Sequence, residues 1–309
     1  MSEQAIYLVA NRRSEEECGN LVHSIRLAGC QLPIVLLPFG GEPVTDARLL
    51  REVALMDPAE FSPEAHDFVD EASKTLTVCP PGFLRRFYAF FGPYPQFLYS
   101  DNDIVALMDW SELFALLGEN DLLHADEEYT TDGRFNYHQP TVILETFGED
   151  SLQTAMTAGH FLARPTPQMI EDMRAAMQWM RAHPGVCKAH DQTMLHLASL
   201  LGNWRMLNLC KPPQSWLSSW AGDYENQLDL IQVGQRGLRI SHLHYSGGSP
   251  RKLNRPVEEL ILSYLDTSQR RRALFTSHLL HFSGFNALAW VWKRGRAKLK
   301  RHPFFLNRA

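Results

Sequence analysis

The chain lacks several features that would assign its class at once. It has only five cysteines, Cys18, Cys30, Cys79, Cys187 and Cys210, and no pair shows the C-x-x-C spacing of a zinc or redox motif. An odd, dispersed set predicts reduced, buried thiols in a reducing compartment. No uninterrupted apolar stretch approaches the roughly 18 residues of a membrane-spanning helix. The opening MSEQAIYLVANRRSEEE has no long apolar segment and does not read as a secretory leader, so a cytoplasmic location is expected. Positive charge is not in excess: the net charge is −5, which argues against general affinity for nucleic acid. There is no internal repeat and no low-complexity tract.

What remains is ordinary globular composition: 309 residues, 45% hydrophobic and 21% charged, enough for one large core or two small ones. Residues 6–10 read as a short buried strand. Ser14 and Glu17 fit a capping box, Cys18, Leu21, Val22 and Ile25 follow at helical spacing, and Gly29 stops the helix. Residues 32–38 are the next strand. Strand, helix and strand in about 30 residues make one βαβ unit and predict a parallel sheet covered by helices. Residues 42–75 read as helices and loops. Gly82 to Phe91 reads as a helix, Val142 to Phe147 and His160 to Ala163 as strands, and Thr166-Pro167 as a helix start. Ile170, Met173, Met177 and Met180 line one face of that helix, a core stripe and not a ligand box. A helix over about 192–201 and strands over 204–209 and 238–244 complete the series.

One short stretch carries chemistry. In QFLYSDNDIVALMDW, residues 96–110, two carboxylates, Asp101 and Asp103, separate two apolar runs. Open α/β sheets bind ligands beyond the C-terminal ends of their strands, and such oxygen ligands suit Mg²⁺ or Mn²⁺ bridging phosphates. The same tetrapeptide, Ser-Asp-Asn-Asp, is also good turn composition, and a D-x-D alone is a weak motif.

In FLYSDNDIVALMDWSELFALL, residues 97–117, the chain resembles the nucleotide-sugar glycosyltransferases of the GT-A fold, which carry a D-x-D at the end of a central strand, followed by a short helical segment. Three further segments agree in order. TAGHFLARP, residues 157–165, resembles the small-Gly strand near the donor sugar. HDQTMLHLAS, residues 190–199, resembles the D-Q segment opening a helix in retaining members such as family 8. ISHLHYSGGSPRK, residues 240–252, resembles the late H-x-x-G-x-x-K segment. YLVAN, residues 7–11, fits the first strand, which holds the nucleotide base. The chain departs from the pattern in placing Thr157 where the family has Asn, and in placing its late lysine, Lys252, two positions beyond the usual spacing.

The resemblance covers about residues 5–252. It implies an α/β GT-A catalytic domain over 1–252, a mostly parallel, Rossmann-like sheet flanked by helices. Residues 253–309 are expected to form a helical C-terminal extension, since Val257, Leu260, Ile261 and Tyr264 recur at helical spacing.

By resemblance, Asp103 and His244 would coordinate the metal, Mn²⁺ or Mg²⁺. Asp101 would bind the metal or the donor ribose, and the middle residue, Asn102, would lie beside the donor. His242, two residues from His244 and on the same strand face, is the alternative ligand. Gly247 and Gly248 would let backbone approach the diphosphate, with Gly159 near the donor sugar. Lys252 or Arg251, and Arg85 or Arg86, are phosphate candidates; solvated surface charge is their alternative. Ala10, Asn11 and Arg12 would hold the base. Asp191 and Gln192 would face the transferred sugar or acceptor, and Asp191 also suits a helix N-cap. Asp126, Glu127 and Glu128 read as a solvated loop.

The activity implied is metal-dependent transfer of a sugar from a nucleotide-diphosphate donor, with UDP-sugar favoured, to a glycan, lipid-linked or small-molecule acceptor, with retention. A sugar nucleotidyltransferase would more often have a Gly-rich loop after the first strand, where this chain has ANRRSEEE. A non-catalytic nucleotide- or carbohydrate-binding protein is the third reading. Near the C-terminus, Lys293, Arg294, Arg296, Lys298, Lys300 and Arg301 follow an apolar cluster that includes Trp290 and Trp292. The segment suits a docked terminal helix or a peripheral contact with the anionic inner membrane face.

Overall fold

The computed structural model describes residues 3–125, 133–220 and 239–244, which all belong to one compact unit. Its centre is a seven-stranded sheet of β1 (Gln4–Ala10), β2 (Ile34–Pro38), β3 (Ala54–Leu55), β4 (Gln96–Ser100), β6 (Leu122–His124), β7 (His160–Ala163) and β8 (Met206–Asn208). The order is β3-β2-β1-β4-β7-β6-β8. Only β7 runs against the others. A separate antiparallel pair joins β5 (Ile104–Ala106) to β9 (His242–His244).

β1 reads as an unbroken apolar run because both its faces are buried, as in a helix-covered parallel sheet. Alternate residues point to opposite sides. Tyr7, Val9, Phe97, Tyr99 and Phe161 join one core cluster; Ile6, Leu8, Leu98 and Leu162 join the other. The first cluster takes in residues of α3 (Pro63–Thr75), α7 (Pro167–Ala182) and α8 (Asp191–Gly202). The second takes in those of α1 (Glu15–Leu27) and α5 (Ser111–Leu117). Met169, Met173, Met177 and Met180 are all buried in the first core. α7 starts as its sequence demands: the Thr166 hydroxyl accepts from Met169 N at 3.2 Å, with proline following.

Four local readings are corrected. Val142 to Phe147 is not a strand but part of helix α6 (Pro140–Phe147), in which only Ile143 is buried. Gly82 to Phe91 is helical in two pieces, α4 (Pro81–Leu84) and a 3-10 stretch over Arg85–Phe91. The segment after the aspartate pair begins as strand β5 and turns helical only at Ser111, because β9 pairs with it. Ser14 stands at the N-cap of α1 without capping it: its hydroxyl accepts from Asn11 N at 3.2 Å instead. The remaining helix, α2 (Leu49–Glu52), leads into β3, a two-residue edge strand that the sequence did not announce.

The sheet order sets the position of the site. From β1 the chain moves outward to β2 and β3, then returns to lay β4 on the other side of β1. A crevice therefore opens beyond the C-terminal ends of β1 and β4, the place where such sheets take ligands.

Candidate metal centre

Asp101 and Asp103 leave the end of β4 at this crevice. β9 supplies the third group from far along the chain: its register sets His244 opposite Ile104, the residue after Asp103. One ligand atom from each of Asp101, Asp103 and His244 lies within 4.8 Å of the other two. His244 Nε2 is 3.4 Å from Asp103 Oδ1. His242, the alternative, is instead buried against His160 and Trp110.

Gly159 makes room for this arrangement. Its carbonyl accepts from Asp101 N at 2.7 Å, tying the start of β7 to the aspartate. A Cβ at Gly159 would stand 2.4 Å from His244 Cε1, so the imidazole occupies the space that only glycine leaves open.

Arg86 organises the floor of the site. It is 2% exposed, and its guanidinium lies 3.2 Å from Asp101 Oδ1 and 3.2 Å from Asp191 Oδ2. It also donates to the carbonyls of Phe83, at 2.9 Å, and Ala158, and sits 4.7 Å from the centre of the Tyr99 ring. Burial pushes up the Asp191 carboxyl, but Arg86 outweighs it, with His190 and the Gln192 N–H adding, and holds the group well below the usual carboxylate range. Asp101 goes the other way: removal from water raises it to about 6, with Asp103 reinforcing and Arg86 and His244 opposing. Tyr99 donates its hydroxyl to Asp101 Oδ1 at 2.6 Å.

The donor set fits a divalent cation. Asp101, Asp103 and Asp191 carry three negative charges against the single positive charge of Arg86, so the floor is anionic when ionised. Two carboxylates and an imidazole are acceptable ligands for Mn²⁺, less so for Mg²⁺.

Two cavities meet at the aspartates. One, of about 400 Å³, is lined by Asn11, Arg13, Phe39, Phe83 and Asn102 as well as Asp101 and Asp103. The other, of about 310 Å³, is lined by Arg86, Gly159, Asp191, Gln192 and His244 as well as the same pair. Of the residues expected at the base, Asn11 lines the first cavity. The Ala10 side chain is buried in the sheet core, and Arg12 turns to Glu15 at 2.7 Å. Arg13, which sequence reasoning passed over, faces the cavity instead. Asn102 lines that cavity and anchors its own turn by donating to Val9 O at 2.8 Å. Arg85 donates to Pro38 O at 2.7 Å. Asp191 is not the N-cap of α8 but its first residue, His190 being the cap. Gln192 donates to Asn136 Oδ1 at 2.8 Å, which fixes its amide at the cavity wall.

Cys79 and His190 also line the second cavity; His190 opens the HDQTMLHLAS segment, whereas no local motif pointed to Cys79. Gly247, Gly248, Arg251 and Lys252, the acidic residues 126–128, and the extension over 253–309 with its basic tail lie outside the described residues.

No protein-family model and no curated protein matches the chain. Among solved structures it is similar to the bifunctional glycosyltransferase WbbM, with 15% identity and a TM-score of 0.60 over 87% of this chain and 51% of that one. It therefore spans about half the length of WbbM. It is also similar to the galactosyltransferase LgtC, solved in complex with donor and acceptor sugar analogues, with 13% identity and a TM-score of 0.53 over 87% of this chain and 99% of LgtC. Sheet order, reversed β7 and these likenesses lead to one structural conclusion: the chain has the GT-A fold found in glycosyltransferases.

Proposed function

We propose that the chain is a metal-dependent glycosyltransferase that takes a sugar from a nucleoside-diphosphate donor, UDP-sugar by preference, and retains its anomeric configuration. One observation carries this reading. Two aspartates from the end of β4 and a histidine from β9 converge within 4.8 Å, at the junction of two cavities. A donor is bipartite in the same way: nucleoside on one side of the diphosphate, sugar on the other.

In this reading the first cavity takes the nucleoside. Asn11 and Arg13 supply polar contacts, and Phe39 and Phe83, in edge contact at 5.2 Å, give an aromatic wall. The second cavity takes the sugar, whose hydroxyls meet Asp191 and Gln192. A divalent cation held by Asp101, Asp103 and His244 would neutralise the departing diphosphate. Asp191 is engaged by Arg86 and kept ionised, which suits a group that orients hydroxyls by accepting their hydrogen bonds. No protein nucleophile is assigned; the departing phosphate oxygen takes the acceptor's proton. Val78, 64% exposed and lining the sugar cavity, suits the apolar face of an acceptor ring.

The test is titration calorimetry with UDP, with and without Mn²⁺, followed by a screen of nucleotide sugars for released nucleotide. Mn²⁺-dependent binding with turnover of one donor supports the proposal. Binding without turnover of any donor would make the chain a nucleotide-binding protein on the same fold, and no binding at all would overturn both.

A further inference from the structure

The sugar-side cavity holds a second convergence of ligand-type groups, of which the reading above uses only Asp191. Cys79, His190 and Asp191 each bring a ligand atom within 4.8 Å of the other two. They come from two segments far apart in sequence, the turn before α4 and the start of α8, which are held together by a backbone bond from Val78 N to Ala189 O at 3.0 Å. Asp191 N also donates to Cys79 Sγ at 3.4 Å.

One of the two spacings is that of a tetrahedral site, and the other is shorter. Bonds of about 2.3 Å to sulfur and about 2.0 Å to nitrogen and oxygen, opened at a tetrahedral angle, set S and O about 3.5 Å apart and N and O about 3.3 Å apart. Here the Cys79 thiol donates to Asp191 Oδ1 at 3.5 Å, and His190 Nδ1 is 2.9 Å from the same oxygen; a cation would replace the thiol proton in this cluster. That nitrogen is shielded from water, yet makes no hydrogen bond of ordinary geometry. The 2.9 Å approach of that nitrogen to the carboxylate is poorly aligned for a hydrogen bond, and a cation between the two would serve both once Nδ1 is unprotonated. A thiolate, an imidazole and a carboxylate are the mixed soft and hard set that zinc prefers, whereas Mn²⁺ favours oxygen and nitrogen.

We propose that Cys79, His190 and Asp191 form a second cation site, selective for a zinc-type ion, and that its occupancy inhibits sugar transfer. The site opens on the cavity that also holds the first metal group, so an ion can enter and keep its fourth position for solvent. On binding, the sulfur–metal bond forms as the thiol proton leaves to solvent. The inhibitory part rests on the glycosyltransferase reading, because it withdraws Asp191 from the sugar; the metal site itself does not.

The experiment uses the full chain stripped of metal and titrated with Co²⁺ as a spectroscopic substitute for Zn²⁺. We expect a cobalt–thiolate charge-transfer band in the wild type and in Asp103→Ala, absent from Cys79→Ser and weakened in His190→Ala, with each variant's fold checked by circular dichroism. The Asp101, Asp103 and His244 group has no sulfur and cannot produce the band. No band in folded wild type, or an undiminished band in Cys79→Ser, overturns the site. With Mn²⁺ saturating, Zn²⁺ should inhibit turnover at a concentration at least about tenfold lower in wild type than in Cys79→Ser. Equal sensitivity overturns the inhibitory role. Should no donor turn over, the glycosyltransferase reading and the inhibitory role fall together, and the band alone decides the site.

Discussion

Substituting Gly159 with alanine isolates the proposed His244 ligand without touching any charged group. The backbone at Gly159 is not in the left-handed region, so the effect is purely one of contact. The new Cβ would stand 2.4 Å from His244 Cε1 and 3.1 Å from both ring nitrogens, against the ~3.5 Å at which non-bonded carbons come to rest. The ring must retreat by about 1 Å, while metal–ligand bonds tolerate only about 0.2 Å. Mn²⁺ affinity should therefore fall about 10- to 100-fold. Global stability should fall by about 1–3 kcal/mol, the usual cost of overpacking. Calorimetric Mn²⁺ titration measures the first, and urea denaturation the second. If the loss acts through His244, Gly159→Ala and His244→Ala combined should cost no more than the larger single effect. Wild-type Mn²⁺ affinity in Gly159→Ala, or additive losses in the double variant, would refute the assignment of His244 as a ligand.

Other perturbations separate the chemistry from the scaffold. Asp103→Ala should abolish nucleotide release from the donor while moving stability by no more than about 0.5 kcal/mol, since its side chain is 30% exposed at a strand end; retained turnover in excess chelator would contradict this. Arg86→Ala leaves Asp101 and Asp191 facing each other without their cation and should cost about 3–5 kcal/mol in urea denaturation, with Arg86→Lys a poor substitute because one ammonium cannot span both carboxylates. His196 is fully buried, with Tyr137 at Nδ1 and the Ser151 carbonyl at Nε2, and burial pushes it down to about 4. The unfolded chain gains the proton first, so this contribution is complete above pH 6.5 and is lost as pH falls toward 4, a change of about 3 kcal/mol. A His196→Gln variant should show a correspondingly flatter stability profile over that range, and an unchanged slope would count against it.

The fold was most legible where local signals agreed. A β1 apolar from Ala5 to Ala10, a Gly-stopped α1 and an apolar β2 have the spacing of a βαβ unit, and Thr166-Pro167 announced α7 by its cap. The aspartate pair was legible because it interrupts apolar sequence at a strand end. α6 was misread because six apolar-leaning residues do not distinguish a strand from a helix, and the deciding signal was Pro140 at its first turn. β3 and β6 escaped because two or three residues carry no periodicity. Asp191 looked like a cap because caps are local, whereas its carboxylate answers to Arg86, a partner no window can reveal. Cys79 was hidden for the same reason, its contacts being 112 positions away.

The pairing of β5 with β9 has a consequence for how the protein matures. The ladder matches Ile104, Val105 and Ala106 to His244, Leu243 and His242, and a slip of one residue would bring Leu243 to the metal group and turn the imidazole away. The crevice is thus incomplete on a growing chain until residue 244 has been made and laid down in one register. Closing so long a loop is slow and costs chain entropy before any contact rewards it. A cation present at about 100 times its dissociation constant would add about 2.7 kcal/mol to the docked state. Metal would then act as a clasp on β9, the last strand among the described residues, slowing hydrogen exchange at Leu107 and His244, whose amides bond to Ser241 and Ser219 at 3.1 and 2.7 Å. Cation affinity would thereby report whether folding has been completed, before any sugar is met.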